Sequence, residues 1–175
     1  MKQFSEYSFD VLRSGGEFIL YRGRALGEPP ILGLAANGQH PFDRNMERLV
    51  HEHVLAPELD PAWAARPIGF TRHKGQDVLV LEDHGGEPLD LVLSQSVQPW
   101  GLDRSLAIAI DLARAVGQMH RQGLIHKDIK PANVLLDEGE RTRLMGFGLA
   151  SRLRSERRAA APPEVIAGTF AYMAP

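Results

Sequence analysis

The sequence predicts an α+β fold, strand-rich in its first half and helix-rich in its second. Three observations predict it. Up to residue 83, five short apolar or alternating runs have strand length, and one stretch repeats apolar residues at the helical period. From residue 84 onward helical periodicity takes over, most clearly between Leu102 and Arg121. Between the long helix and the next apolar run, residues 126–133 concentrate charged and amide side chains in a loop.

Length and composition bound the rest. At 175 residues the chain suits one domain, or part of a larger one, and 43% apolar with 24% charged residues describes an ordinary globular protein. A net charge of −2 gives no strong pull toward nucleic acid or an anionic membrane, so neither is an expected partner. Cysteine is absent, which excludes disulfides and thiolate metal sites and fits a reducing cytoplasm. Lys2 is followed by no apolar core, so no signal peptide is expected, and no run approaches the ~18 apolar residues of a membrane span. The lysines are Lys2, Lys74, Lys127 and Lys130, against sixteen arginines.

The elements follow in order. Tyr7 to Arg13 predicts a strand with Tyr7, Phe9 and Val11 on one face. Ser14-Gly15-Gly16 turns the chain into a second strand, Glu17 to Arg24. Glu28-Pro29-Pro30 breaks it, and Ile31 to Ala36 predicts a buried third strand. Residues 43–55 predict a helix whose stripe is Phe42, Met46, Leu49, Val50, His53 and Val54, with Glu52 at its edge and Pro57 beyond its end. His51-Glu52-His53 does not suggest a metal site, because helical residues two apart point away from each other. Ala65 to His73 and Gln76 to Glu82 predict two strands joined at Lys74-Gly75. Pro88 to Leu93 suits a short helix. Leu102 to Arg121 suits a long one, with Leu102, Leu106, Ala109, Ile110, Ala113, Val116 and Met119 on its stripe, Asp103 as N-cap and Gly123 past its end. A turn at residues 137–140 leads to a short strand, Thr142 to Met145.

The loop carries the chemistry. It reads His126-Lys127-Asp128-Ile129-Lys130-Pro131-Ala132-Asn133, followed by Val134-Leu135-Leu136. Asp128 can accept the proton of an attacking hydroxyl. Lys130, two residues on, can neutralise charge on a moving phosphoryl group, and Asn133 can offer a carbonyl oxygen to a magnesium ion. This spacing fits phosphoryl transfer, where a protein mostly positions groups and stabilises charge. The block matches H-R-D-x-K-x-x-N, with Lys127 where arginine is usual. Gly168-Thr169-Phe170-Ala171-Tyr172-Met173-Ala174-Pro175 matches a second stretch, G-T-x-x-Y-M-A-P. On these motifs the chain resembles a Ser/Thr protein kinase along nearly all its length.

The resemblance implies a protein-kinase-like two-lobed fold that stops after the activation segment: residues 1–83 as the smaller lobe, and residues 84–175 as part of the larger one. It implies ATP-dependent phosphoryl transfer to a protein Ser/Thr hydroxyl in bacterial signalling, with ATP and magnesium as cofactors. Asp128 would be the base, with Lys130 and Asn133 in support, Asn133 on the metal, and Thr169 bonded to Asp128 and Lys130. Gly15 and Gly16 would cover phosphates, Glu52 would stand where a lysine partner is usual, and Leu81, Glu82 and His84 would flank the adenine edge. The segment from Met145 to Ser151 and the run Pro162-Pro163-Glu164-Val165-Ile166-Ala167-Gly168-Thr169 resemble the N-terminal kinase-like domain of large bacterial proteins that continue into an ATPase module and a sensor histidine kinase. The implied partners are a protein substrate or the downstream modules of such a chain. Ser151, Ser155 and Thr169 can in principle be phosphorylated.

Three departures define an alternative. The glycine turn keeps one of three family glycines, with Arg13 and Phe18 at the other two positions. The third strand has no lysine, its position falling to Ala35 or a neighbour; Arg22 and Arg24 are the only nearby substitutes, and both read as surface residues. Thirteen residues after Asn133, where the family has D-F-G, the chain reads Gly146-Phe147-Gly148. The alternative is a pseudokinase, a regulatory or nucleotide-binding module that passes no phosphate. A small-molecule phosphotransferase is disfavoured by Thr169 and the Met-Ala-Pro end.

Overall fold

In a computed structural model, described over residues 4–38, 42–153 and 168–173, the chain is an α+β fold of two packed parts. Ser155, the run through Pro163 and the terminal Ala174-Pro175 lie outside the described residues. The first part is a five-stranded antiparallel sheet ordered β1-β2-β3-β5-β4, built from β1 (Ser8–Gly15), β2 (Phe18–Arg24), β3 (Ile31–Ala36), β4 (Pro67–His73) and β5 (Gln76–Glu82). The helix α1 (Phe42–Val54) crosses between β3 and β4. Lys74 and Gly75 both have positive φ, the geometry of a two-residue hairpin turn whose twist matches its flanking strands.

The second part holds β6 (Glu87–Pro88), α2 (Leu89–Gln95), α3 (Leu102–Arg121), β7 (Leu124–Ile125), β8 (Val134–Leu136), β9 (Thr142–Leu144) and β10 (Ser151–Arg152). β8 lies between β6 and β9, and β7 pairs with β10, so the loop from His126 to Asn133 is suspended between two small sheets. One buried cluster around Trp63, Met119, Leu144 and Phe147 fills this part. A second, around Leu20, Leu32, Leu79, Leu135 and Met145, joins the underside of the five-stranded sheet to β8. Two smaller clusters cover the sheet's outer face with Phe4, Phe9 and Tyr21.

Three expectations about faces are corrected. In β1 the register slips between Val11 and Arg13, so the alternation breaks: Phe9 packs on the outer face, Leu12 turns inward, and Val11 stands 54% exposed. On α1 the buried face is Asn45, Leu49 and Glu52, while Val50 and Val54 face outward. On α3 the buried residues are Ile108, Ala115 and Met119; of the predicted stripe Met119 is buried and Val116 packs against the core, whereas Leu102, Leu106, Ala109, Ile110 and Ala113 are exposed. That helix carries two apolar faces, and Asp111 selects between them. Its carboxylate accepts from Thr142 N and Oγ1 at 2.6 and 2.9 Å and so fixes α3 on β9. The N-cap of α3 is Gly101, two residues before the expected Asp103, and no side chain caps it.

Candidate active site

The loop is held from beneath by His126. Its ring is buried, with Nε2 3.0 Å from the carbonyl oxygen of Met145 and Nδ1 3.3 Å from the backbone N–H of Asp128. A carbonyl can only accept and an N–H can only donate, so the proton sits on Nε2 and the ring is neutral. Burial, pushing the imidazole below its usual pKa, favours the same form. Lys127 follows in the left-handed region, at φ +68°, and this turn aims Asp128 into the crevice between the two parts.

Four polar side chains converge there. Asp128 Oδ1 accepts from Thr169 Oγ1 at 2.7 Å, and Asp128 Oδ2 meets Lys130 Nζ at 2.8 Å. Lys130 Nζ also donates to Thr169 Oγ1 at 2.8 Å. Asn133 Nδ2 donates to the Asp128 backbone carbonyl at 2.8 Å and to Oδ2 at 3.0 Å. A Cβ on Gly168 would lie 2.6 Å from the Lys127 carbonyl oxygen, so only glycine lets Thr169 come this close. Asp128, Lys130, Asn133 and Thr169 thus form one hydrogen-bonded cluster.

The opposite wall is different. A cavity of about 80 Å³ lies between Asp128 and Lys130 on one side and Gly15, Gly16 and Glu52 on the other. Glu52 is not solvated, and among the described residues no cation lies within salt-bridge reach of it. It is buried on α1, and its Oε1 accepts from the backbone N–H of Gly146 at 3.1 Å. Burial pushes its carboxyl up to about 7, against the backbone donors of Phe147 and Gly146 and the charge of Arg48. Leu34 is the β3 side chain on this cavity. Ala35 belongs to the outer face, so Leu34 holds the position where a lysine is usual.

Arg22 is not a surface arginine and does not reach the cavity. Its side chain, 12% exposed, donates from Nε to Asp83 Oδ2 at 2.6 Å and also reaches Gly86 O and Glu87. Arg24 is exposed beside Asp10, as expected. Leu81 is buried in the core beneath the sheet, and the Glu82 side chain is engaged by Arg66 and His84. These three residues are not brought into the cavity with Asp128. Sequence reasoning missed Arg48, which lines the cavity, stacks over Phe18 and pairs with Glu17. The available signal was its place four residues before Glu52, on the same helical face.

Magnesium does not fit these residues. Gly146 offers no carboxylate, and the Asp128 carboxylate is already engaged by Lys130, Thr169 and Asn133. A Cβ at Gly146 would lie 2.9 Å from Asn133 Cγ and Oδ1, so the amide stands against the place a carboxylate stem would need. Among the described residues, no three His, Asp or Glu side chains form a group that could hold a metal ion. A hard divalent cation usually takes carboxylates as well as substrate oxygens.

Comparison with known proteins gives the family. The protein kinase domain model matches residues 38–175. Serine/threonine-protein kinase pkn2 of Myxococcus xanthus is 30% identical, over 95% of this chain and 21% of that protein. The DNA damage-responsive serine/threonine-protein kinase RqkA of Deinococcus radiodurans is 33% identical over 75% of this chain and 18% of its own length. An L-type lectin-domain containing receptor kinase of Arabidopsis thaliana is 36% identical over 95% of this chain and 25% of its own. The chain thus spans about a fifth to a quarter of these relatives. No helix among the described residues is long and apolar enough to cross a membrane. The domain match, the catalytic-loop geometry and these relatives agree: the chain belongs to the Ser/Thr protein kinase family.

Proposed function

We propose that this domain is a regulatory module of the kinase fold, a pseudokinase that engages protein segments without passing phosphate. The observation that carries this reading is the pair of substitutions facing one another in the cleft, Leu34 on β3 and Gly146 before Phe147. Together they remove a cation and a carboxylate from the place where phosphate and metal charge would be handled. Each such loss typically costs on the order of 10²-fold or more in rate. Glu52, left without a lysine, turns to the Gly146 N–H and ties α1 to the Gly-Phe-Gly turn.

A working Ser/Thr kinase is the second reading, and the Asp128–Lys130–Thr169 cluster favours it. There Asp128 would take the proton of a Ser or Thr hydroxyl, Lys130 would steady the phosphoryl charge, and Thr169 would hold both in register. In either case residues 1–83 and 84–175 act as the two lobes. The partner is a protein, a substrate or a further module of a larger bacterial signalling chain in the cytoplasm. Labelled-ATP transfer decides between the two readings. The regulatory module gives the same background with wild-type protein and with Asp128→Asn. Incorporation by wild type that disappears in Asp128→Asn establishes the kinase instead.

A further inference from the structure

We propose that the cleft admits no adenine nucleotide, because the chamber in which the base would lie is filled by the protein's own leucines. The inference rests on the cleft being the counterpart of a kinase nucleotide site and goes beyond the loss of phosphate transfer. A base held at the backbone of residues 82–84, with its phosphates directed toward Lys130, must lie between the underside of β2–β3 and β8. Leu20, Leu32, Leu34, Leu81, Leu135 and Met145 meet there in one buried cluster. Leu20, Leu32 and Leu81 are 0% exposed and the others no more than 3%. Side chains flanking an open slot for a flat ring would touch water when the slot holds no ligand; Leu20, Leu32 and Leu81 do not, and only Leu34 and Met145 of the six border the cavity beyond them.

The filling comes from β3. Leu32 and Leu34 point inward, and Gly33 and Ala35, the small residues between and after them, point to the outer face, where Val78 and Phe9 leave room for little more. A strand that made space for a ring would reverse this order of sizes. The outer end of the chamber is shut as well. Arg22 spans from β2 to Asp83 and Gly86, and the Asp83 side chain beneath it is 1% exposed. Two cavities border Asp128, one of about 80 Å³ at the Glu52 end and one of about 190 Å³ beside Thr169, and neither is lined by residues 82–84. Sites for drug-sized ligands and cofactors run to roughly 300–1,000 Å³. The chamber is core, and the domain's input is something other than adenine nucleotide.

Calorimetric titration of the whole chain with ATP, with and without magnesium, and with adenosine as the base alone, tests this. Wild-type protein is expected to show no saturable binding at millimolar ligand. Leu32→Ala, which returns a small residue to the inner face, is expected to bind adenosine at least ~10-fold more tightly than wild type. Leu32→Val serves as the milder opening if the alanine variant does not fold. Saturable wild-type binding of ATP that adenosine competes away overturns the proposal. So does failure of both folded variants to gain binding, since the leucines are then not what excludes the base. Binding without transfer sinks this inference alone, whereas phosphate transfer by wild type sinks the regulatory reading with it.

Discussion

Glu52 and Gly146 meet across 94 positions of sequence, the carboxylate of one accepting the backbone N–H of the other at 3.1 Å. The carboxyl is buried, and burial raises it from 4.5 to about 7. Between those values the folded state binds more protons than the unfolded state, so the group's contribution to stability falls as pH rises. The contribution is fully present below 4.5 and lost above 7, an overall change on the order of 3 kcal/mol. His126, held below its usual value, acts in the opposite direction. It does so equally in a Glu52→Gln variant. Urea unfolding of both proteins from pH 4 to 8 is therefore expected to show the wild-type-minus-variant stability declining between pH 4.5 and about 7. A difference that stays level would mean that Glu52 titrates alike in the folded and unfolded chain.

Gly146 is the second half of that contact and tolerates little. Its φ is +80°, and a Cβ would sit 2.9 Å from the Asn133 amide, which is itself fixed by two bonds to Asp128. Gly146→Ala is expected to lose about 1–3 kcal/mol from overpacking and left-handed strain. Gly146→Asp, which restores the family carboxylate, is expected to lose as much and to gain no magnesium-dependent thermal shift. A stable Gly146→Asp protein with a clear magnesium shift would show that Asn133 yields.

How much of this was legible depends on the range of the physics. β3, β5 and α3 were readable to the residue because an apolar run, a hairpin turn and a helical period are local signals. Faces were harder. Glu52 counted as polar and was placed at the edge of its stripe, yet the Gly146 N–H makes it central. Leu34 rather than Ala35 meets the cleft because pairing with β5 sets which side of the sheet points in. The proximity of Asp128, Lys130, Asn133 and Thr169 was legible residue by residue, since the first three share one loop and Thr169 belongs to a second recognisable motif. Arg22 was not, because its partner lies 61 residues away on a connecting segment.

That buried pair is separately testable. The Arg22 and Asp83 side chains are 12% and 1% exposed, and the arginine also satisfies the Gly86 carbonyl. Arg22→Met leaves a buried carboxylate with the Gly85 N–H as its one remaining donor among the described residues, and is expected to destabilise the chain by about 3 kcal/mol. Arg22→Lys should recover only part of this, since an ammonium cannot fork between carboxylate and carbonyl as guanidinium does. Midpoints of urea unfolding measure both. Equal stability of the lysine variant and wild type would reduce the interaction to simple charge.

The last prediction concerns the face of α3 that the core does not use. Leu102, Leu106 and Ile110 recur every fourth residue and stand 72%, 49% and 51% exposed, beside exposed Ala109 and Ala113. An apolar stripe of this kind on one helix face favours association. The chain alone is expected to self-associate with rising concentration in sedimentation velocity. The double substitution Leu106→Glu with Ile110→Lys puts an acid four residues before a base, a pairing that suits an exposed helix. It should keep stability within about 0.5 kcal/mol while shifting the chain toward monomer. Wild-type protein that stays monomeric over the same range would show that the stripe is too narrow to hold a second copy.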